Sequence, residues 1–532
     1  MGMKNCPEII SLPGGGKCWQ HVFDRFRVKA YVPQPHPLAD IVNFGFDAPY
    51  LLLFEEKELT MGEAVAFAEH YGFARVARQY STSVVFVYPT CPGGWDEADE
   101  NLFIDLIAES RIHQYHHDGV VTDKNRFTGD WGECFIRGAI FRTHLFGRGK
   151  SADYIARHCL KTTQGLYLWG PGEITLTTAT LTNLSVVPQV ERRDIPVVSV
   201  SNTKEINAAL KDSCDHLLVQ EEFDFPAAYE GLIKGCKRWC GVLSMEKTME
   251  EQGMVEEPAF AVVPTSCDNR GDDKETAEHR IGYIAYYKKG LLESGPVPLV
   301  VAFHGGGDSA LHMAHVSGWY RVAQRNNFLL VCVENHLNST ATEAIALIEQ
   351  LKKKYPIDEK RIYASGFSMG GIKTWDMFQE YPNVFAALAP MGATVDVGHN
   401  VYFQPVEKEI NRTQPVPVFY AGGEITPLPE LPFQAEKCCD RMRYVFEINQ
   451  VVTPYAVDFE KKDSWANPIW GISGDRVEKI DDPSRGSVLT INYFTSKDGV
   501  ERTALASIDN QGHECREHTC EHAWYFMSKF SL

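Results

Sequence analysis

The chain has 532 residues, too many for one compact domain, because single domains usually hold about 100 to 200 residues. Its composition is 44% hydrophobic, 23% charged and 11% aromatic, which is typical of globular proteins and excludes a mostly disordered, collagenous or coiled-coil chain. The formal net charge of −18 disfavours nucleic acid and anionic membranes as partners, since no local basic patch opposes it.

The sequence shows no pattern typical of a membrane span or of a secretory signal. No run reaches the roughly 18 apolar residues that span a bilayer, and the first six residues lack the apolar stretch of a secretory signal. We therefore expect a cytoplasmic protein, in which most of the 14 cysteines are reduced and packed as small apolar residues. The sequence leaves open whether the chain forms a homo-oligomer.

The first half of the chain contains several short apolar segments. They lie at 50–54, 84–87, 102–107, 139–143 and 195–200. We interpret residues 1–245 as an α/β domain. The boundary is placed near residue 245 because charged stretches, at 246–253 and 269–276, are typical of connections and loops.

The second domain, residues 246–532, has a clearer pattern. Two strand-like segments, at 259–264 and 281–287, precede a continuous apolar run at 298–303, which is typical of a strand buried on both faces of a parallel sheet. Predicted strands and helices then alternate, with strands at 328–333, 361–365 and 417–421, helices at 342–354 and 372–379, and a hairpin from 489–494 and 503–507. This alternation predicts a doubly wound α/β sheet, whose sites lie at the carboxyl ends of the strands.

A G-x-S-x-G motif follows the predicted strand at 361–365. It reads Gly366-Phe-Ser368-Met-Gly370 and leads directly into a helical pattern, so it has the strand, turn and helix that the motif requires. Flanking glycines permit a tight turn, and the start of a helix favours developing negative charge. Ser368 is the predicted nucleophile, and a chance occurrence of the motif is the alternative.

A second glycine-rich loop follows the buried strand at 298–303. It reads His304-Gly-Gly-Gly307. Such a loop supplies one backbone donor of an oxyanion hole, here from Gly306 or Gly307, and the residue after the nucleophile, Met369, supplies the other. A plain glycine-rich turn explains either loop alone, but not both loops in this order.

The serine hydroxyl needs a base, which must come late in the chain. On a sheet of this type the order is serine, acid, histidine. His513 belongs to a Gly-His pair on the loop after the last predicted strand. We prefer it to His518 and His522, which fall on the predicted final helix, where surface histidines are common.

The acid is predicted after the strand at 417–421. Glu424 is the first choice and Glu430 the second, and each has the alternative of being a solvated loop carboxylate. A buried carboxylate at this point orients His513 and stabilises its cation.

From about Ile281 to its carboxyl end, the chain resembles the α/β-hydrolase superfamily, and more narrowly the serine esterases grouped with polyhydroxybutyrate depolymerases and feruloyl esterases. The matching segments are 299–307, 356–363, 366–371, 385–390, 512–513 and 523–530. The resemblance implies that Ser368 is the nucleophile, His513 the base, and the N–H groups of Met369 and one residue among 305–307 the oxyanion hole.

One departure from that family concerns the acid. Such enzymes usually carry an aspartate shortly after the strand, where this chain has Thr426. The acid is therefore Glu424, Glu430 or another residue in the long segment before the histidine.

The first half also shows a weak internal repeat of the second. Arg75-Val-Ala77 and Arg321-Val-Ala323 each precede an apolar strand, and the other segments follow in the same order. We interpret the first half as a degenerate, non-catalytic hydrolase-like domain. Residues 55–58 replace the oxyanion loop, and Gly149 replaces the nucleophile. An unrelated α/β domain is the alternative.

Two further motifs are set aside. Residues 147–151 end like a phosphate-binding P-loop, but His144 stands where the first glycine is required. Residues 518–522 spell H-x-x-E-H, a zinc-peptidase spacing, but only ten residues follow them, so a surface helix is the better interpretation. We expect no nucleotide, cofactor or metal.

The sequence thus predicts a serine carboxylic ester hydrolase that acts on a small-molecule ester through an acyl-enzyme intermediate. A serine peptidase or acyltransferase on the same triad is one alternative. A catalytically silent hydrolase-like binding protein is another. The acyl and alcohol groups of the substrate are not fixed by the sequence.

Overall fold

In the computed structural model, the chain divides into two compact units, unit 1 over Met1–Thr248 and unit 2 over Met249–Leu532. The structure describes residues 9–22, 27–33, 49–107, 142–161, 163–167, 170–174, 176–189, 191–192, 194–239, 242–266, 278–306, 308–334, 339–426, 430–431, 435–452, 473–483 and 486–532. Within them, no helix has the length and apolarity needed to cross a bilayer.

Unit 1 is built on one large sheet, with nine strands among its described residues. The strands of the unit are β1 (Ile9–Ser11), β2 (Gly16–Val22), β3 (Arg27–Pro33), β4 (Tyr50–Phe54), β5 (Ser83–Val87), β6 (Thr143–Arg148), β7 (Thr163–Tyr167), β8 (Gly170–Ile174), β9 (Thr178–Thr182), β10 (Val197–Val200), β11 (Leu217–Gln220), β12 (Cys236–Trp239) and β13 (Val242–Met245). The large sheet has the order β1-β2-β3-β5-β4-β6-β9-β10-β11, and β7-β8 and β12-β13 form separate hairpins. Strands β1, β2, β3 and β5 pair antiparallel, and the rest of the large sheet is parallel.

The central strands of unit 1 are buried on both faces. Every residue of β4 is buried. Tyr50, Leu52 and Phe54 belong to one apolar cluster, whereas Leu51 and Leu53 belong to another, because successive side chains of a strand point to opposite faces. Helices cover this sheet: α1 (Met61–His70), α2 (Phe73–Tyr80), α3 (Lys150–His158), α4 (Lys204–Ser213) and α5 (Phe225–Gly231).

Unit 2 contains a second large sheet, with ten strands among its described residues. They are β14 (Met254–Pro264), β15 (Glu278–Lys288), β16 (Val297–Phe303), β17 (Leu329–Val333), β18 (Ile357–Phe367), β19 (Ala387–Met391), β20 (Val418–Gly423), β21 (Arg476–Asp482), β22 (Ser487–Thr495) and β23 (Glu501–Ile508). The order is β14-β15-β17-β16-β18-β19-β20-β23-β22-β21. In this spatial order, the six neighbouring strands β17-β16-β18-β19-β20-β23 are parallel. The pairs at both ends of the sheet, which involve β14 and β15 at one end and β22 and β21 at the other, are antiparallel.

Unit 2 has six described α-helices, which are α6 (Ala310–Val316), α7 (Trp319–Asn326), α8 (Ala341–Lys354), α9 (Met369–Glu380), α10 (Glu436–Ile448) and α11 (Glu517–Met527). Helix α8 begins with a capping box between Thr340 and Glu343 and ends in three lysines, which the helix dipole favours there. Helix α9 is buried along nearly its whole length. It therefore has no solvent face, unlike a typical surface helix.

The mixed sheets confirm the predicted α/β class and fit an α/β-hydrolase fold. The predicted strands and helices of unit 2 are present, with shifted ends. The helix predicted from 372 begins at Met369, directly after Ser368, and the strand predicted from 361 begins at Ile357. Strands β19 and β21 and helices α6, α7 and α10 were not predicted.

The two sheets share one pattern of strand order. In unit 1 the central strands run β3-β5-β4-β6-β9, and in unit 2 they run β15-β17-β16-β18-β19. In each sheet the chain adds strands first on one side and then on the other. The direction of winding reverses between β4 and β6 in unit 1 and between β16 and β18 in unit 2. Ligands of open α/β sheets bind at the carboxyl ends of the strands beside such a reversal.

Close packing of α3 on β6 leads to a prediction about Gly147. A Cβ there would lie 2.7 Å from Ile155 Cδ1 and 2.8 Å from the backbone carbon of Ser151, whereas a Cβ at Gly62, on α1 of the same unit, meets nothing within 4 Å. We expect Gly147→Ala to lower the free energy of unfolding by about 1–3 kcal/mol, and Gly62→Ala to raise it by about 0.4–1 kcal/mol. Calorimetry of both variants measures this, and equal unfolding temperatures for the two would contradict it.

Candidate active site

Ser368 lies at the turn between β18 and α9. It is the N-cap residue of α9 and has φ 55° and ψ −122°, a positive φ that L residues seldom adopt. Two backbone hydrogen bonds hold the turn, from Ser368 N to Met391 O at 2.9 Å and from Ile372 N to Ser368 O at 3.0 Å. The turn therefore fixes the serine at the amino-terminal end of the helix.

The glycines of the motif are required by close backbone contacts. A Cβ at Gly366 would overlap the carbonyl oxygen of Gly370, and a Cβ at Gly370 would overlap that of Phe303. These contacts bring β16, β18 and α9 together. The carboxyl ends of β16 and β18, paired at Phe303 and Gly366, thus meet at the turn.

His513 reaches Ser368 from the loop between β23 and α11. With the proton of the imidazole on Nδ1, Nε2 accepts a hydrogen bond from Ser368 Oγ at 2.8 Å. The ring of Phe367 packs against the imidazole, with 4.6 Å between ring centroids. The His513 side chain is 15% exposed, so it is largely shielded from solvent.

Glu430 completes a chain of hydrogen bonds. Its Oε1 accepts from Nδ1 of His513 and from the hydroxyl of Thr426 at 2.9 Å. Its Oε2 accepts from the backbone N–H of Gly423 at 2.8 Å. The side chain is only 1% exposed, and the three donors compensate the burial of the carboxylate.

The first choice for the acid is corrected by this geometry. Glu424 is exposed, its N–H donates to Ile508 O at 3.0 Å, and its Oε2 accepts from Asn510 N at 3.4 Å. Strand β20 continues to Gly423, so Glu424 still lies beside the end of β23. Glu430, the second choice, lies at the imidazole.

The glycine loop after β16 passes close to Ser368. Both ring nitrogens of His304 lie near carbonyl oxygens, 2.8 Å from that of Glu334 and 2.7 Å from that of Gly305, which fixes the start of the loop. A Cβ at Gly305 would lie 3.4 Å from the Cβ of Ser368. The backbone of the loop at Gly305 is therefore close to the Ser368 side chain.

Of the three residues predicted to supply oxyanion-hole donors, the structure describes two, Met369 and Gly306. Met369 is the first residue of α9, whose first N–H groups have no partner within the helix. Gly306 lies beside it, because a Cβ at Gly306 would lie 2.5 Å from Met369 Sδ. Gly307 lies outside the described residues. Met369 and Gly306 are thus close together at the positive end of α9, which suits an oxyanion.

The alternative histidines lie on α11. The rings of His518 and His522 meet edge to face, with centroids 5.0 Å apart, and burial lowers the pKa of His522. In the part of the chain that the structure describes, no group of three or more His, Cys, Asp or Glu side chains is arranged to hold a metal ion. The geometry brings together Ser368, His513 and Glu430 and leaves the other candidates outside.

Thr426 was not recognised as a member of this network from the sequence. It was noticed only because it stands where related enzymes usually have an aspartate. A hydroxyl four residues before a buried carboxylate is a weak signal. A further donor to Glu430 is the backbone N–H of Gly423. Every residue but proline has such a group, so the sequence gives no signal for it.

Comparison with known proteins places these features in a wider context. A scan against protein-family models finds none that matches. The bifunctional acetylxylan esterase/xylanase XynS20E of Neocallimastix patriciarum is 30% identical over 135 residues, which are 24% of this chain and 19% of that protein. Poly(3-hydroxyalkanoate) depolymerase C of Paucimonas lemoignei is 28% identical over 113 residues, 18% of this chain and 27% of that protein. The chain thus spans less than a third of the length of either relative.

Among solved structures, an acetyl xylan esterase from Aspergillus awamori matches at a TM-score of 0.34 and 14% identity, over 51% of this chain and 99% of that one. By its sequence relatives, the chain resembles esterases of the α/β-hydrolase superfamily.

The position of Glu430 leads to a prediction about the reactivity of Ser368. We expect Glu430→Gln to slow labelling of Ser368 by a fluorophosphonate by about two to four orders of magnitude, because the amide neither orients nor stabilises the imidazolium. The matched control, Glu424→Gln, keeps the rate of the parent protein. Rates are measured by mass spectrometry of the intact protein, and equal effects of the two variants would refute the assignment.

Thr426 leads to a second prediction. Thr426→Val removes the hydrogen bond to Glu430 but keeps the shape, so we expect labelling about tenfold slower, as for the loss of a hydrogen bond to a charged group. Thr426→Ser restores the donor and the rate. Both variants should remain folded at the assay temperature, with the Val variant unfolding at a somewhat lower temperature than the parent. A slow Ser variant, or a Val variant slowed only because it is unfolded, would exclude a positioning role.

Proposed function

We propose that this protein is a serine carboxylic ester hydrolase, with Ser368 as nucleophile, His513 as base and Glu430 as the acid of the triad. The observation that carries the proposal is the continuous chain from the Ser368 hydroxyl through the imidazole to a buried carboxylate. A serine hydroxyl is a weak nucleophile at neutral pH, and this arrangement supplies the base that activates it.

The proposed reaction has two halves. Ser368 Oγ attacks the carbonyl carbon of the ester while Nε2 of His513 takes the hydroxyl proton. The bond to the leaving alcohol then breaks, and His513 returns the proton to the alcohol oxygen. Water, activated by the same imidazole, attacks the acyl-enzyme and releases the carboxylic acid and free Ser368.

Backbone dipoles stabilise the negative charge of both tetrahedral intermediates in this mechanism. The proposed donors are the N–H of Met369 and one N–H of the loop at Gly306 or Gly307. Their proximity is supported by the overlap that a side chain at Gly306 would have with Met369. Donors held in place before the reaction need no reorganisation as charge develops. The mechanism uses protons and backbone dipoles, so the proposal includes no cofactor and no metal.

The two sequence relatives suggest the substrate class. One is named for an acetylxylan esterase activity and the other for depolymerisation of a poly(3-hydroxyalkanoate); both names denote carboxylic esters, and the first denotes a short acyl group. We propose a small-molecule ester with a short acyl chain as the substrate.

We also propose that unit 1 is a degenerate, non-catalytic hydrolase-like domain. Its central strands have the same order as those of unit 2. Gly149, the N-cap residue of α3, has φ 55° and ψ −124°, nearly the dihedral angles of Ser368. These angles support an equivalent turn, but a glycine there has no hydroxyl to act as nucleophile.

The assignment of one nucleophile gives a sharp test. Ser368→Ala should abolish hydrolysis of p-nitrophenyl acetate in the full chain and covalent labelling by a fluorophosphonate, because the proposal assigns Ser368 as the single nucleophile. The control, Ser294→Ala, changes an exposed serine of unit 2, the unit that contains Ser368, and should keep full activity.

The same assay separates the alternatives. The parent protein is offered p-nitroanilide amides and alcohol acceptors beside the ester, and we expect a kcat/KM at least about 100-fold higher for the ester, with water as the acceptor. Preferred amide cleavage or acyl transfer would replace the proposal by a peptidase or a transferase. Absence of labelling in the parent protein would indicate a silent binding protein.

A further inference from the structure

The ring of Phe367 makes a contact with His513 that the proposed triad does not use. The centroids of the two rings are 4.6 Å apart, at the short end of the range of about 4.5–7 Å for aromatic pairs. The ring planes meet at 38°, which is closer to stacked than to edge-on. Phe367 is the last residue of β18 and directly precedes Ser368. The side chain next to the nucleophile therefore packs against the base.

Two hydrogen bonds hold the edge of the imidazole. Its Nδ1 donates to Glu430 Oε1, and its Nε2 accepts from Ser368 Oγ at 2.8 Å. The lone pair and the N–H bond of the two nitrogens lie in the plane of the ring, so these bonds fix the two nitrogens and not the face of the ring. The close contact with Phe367 supplies a restraint of a different kind, on the tilt of the imidazole.

The ring of Phe367 is itself closely surrounded. Gly392 follows β19 and has φ 69°, and a Cβ there would lie 2.5 Å from Phe367 Cε2 and 3.6 Å from His513 Cε1. At the opposite edge of the ring, a Cβ at Gly305 would lie 3.5 Å from Phe367 Cδ1. Two glycines, one after β16 and one after β19, thus leave a space that the ring fills beside the imidazole.

The imidazole carries a positive charge in each half of the proposed reaction, first when it takes the proton of Ser368 and later when it takes a proton of water. His513 is only 15% exposed, so water solvates this cation incompletely. The face of an aromatic ring attracts a cation within about 6 Å of its centroid, and the attraction is stronger where water is excluded. Glu430 compensates the charge at one edge of the imidazole, and Phe367 is placed to do so at its face.

We propose that Phe367 is a positioning residue of the esterase reaction, which restrains the imidazole of His513 and stabilises its cation through the face of the phenyl ring. The inference rests on the proposed function, because it requires that His513 takes up a proton. Acylation and deacylation pass through the same cation, so a weaker ring interaction slows both steps. We therefore expect a change in kcat with little change in KM.

The experiment changes the electron density of the ring and keeps its shape. The full chain is prepared with phenylalanines that carry one, two or three ring fluorines at position 367, and hydrolysis of p-nitrophenyl acetate is measured. Fluorine withdraws electron density from the face of the ring. We expect kcat to fall with each fluorine, by about tenfold in total, and KM to stay within about twofold. The control is the same series at Phe403, which is 64% exposed, and it should keep the kcat of the parent.

A double-mutant cycle tests the contact from the side of Gly392. Gly392→Ala places a Cβ against Phe367 Cε2, so it should lower kcat more in the parent than in a Phe367→Ala background, which lacks the ring. The strain of an alanine at φ 69° is present in both backgrounds and cancels in the comparison. Unfolding temperatures of the four proteins show that each is folded in the assay.

The outcomes separate this inference from the function on which it rests. A parent protein that hydrolyses the ester, with the same kcat across the fluorinated series, would overturn the role of Phe367 and leave the esterase function intact. An equal loss from Gly392→Ala in both backgrounds would do the same. A parent protein that does not hydrolyse the ester would refute the proposed function, and this inference with it.

Discussion

The turn at Ser368 is the constraint on which the site depends. A residue with a side chain held at φ 55° costs on the order of 1–3 kcal/mol, and such strain persists only where the surrounding structure enforces it. Here β16, β19 and α9 enforce it, through backbone contacts that leave no room for side chains at Gly370 and Gly371. In this turn the Ser368 hydroxyl lies within hydrogen-bond distance of His513 Nε2.

The hydrogen-bond chain depends on the order of the strands. Ser368, Glu430 and His513 follow β18, β20 and β23, which lie on one side of the winding reversal in the order β18-β19-β20-β23. Parallel strands bring their carboxyl ends to one edge, so residues far apart in sequence meet there. Ser368, Glu430 and His513 are therefore each held in place by contacts with other segments of the protein. The buried carboxylate of Glu430 is tolerated because Gly423 and Thr426 donate to it along with His513.

Local patterns in the sequence were enough to predict the turn and the histidine. The apolar runs of buried strands, the glycines around Ser368 and the Gly-His pair at 513 are each visible as patterns within a few residues of sequence. The acid was different. Glu424 and Glu430 both follow β20, and the choice between them depends on which carboxylate lies at the imidazole in the folded protein. The position of Glu430 is fixed by tertiary contacts, such as the hydrogen bond from the Gly423 N–H, which no side-chain pattern reveals.

The turn at Gly149 repeats this backbone geometry in unit 1 without a hydroxyl. Its dihedral angles are almost those of Ser368, and Gly147 packs against α3 as closely as glycine allows. What differs is the set of groups around the turn. Glycine replaces the hydroxyl, and the Glu56 carboxylate lies at the helix N–H where a transition-state oxyanion would need an unoccupied donor. The backbone turn is required by packing and is therefore kept by contacts in the core. A side-chain hydroxyl and a helix N–H without a protein partner are required only by the proposed reaction. The backbone turn itself determines neither of them.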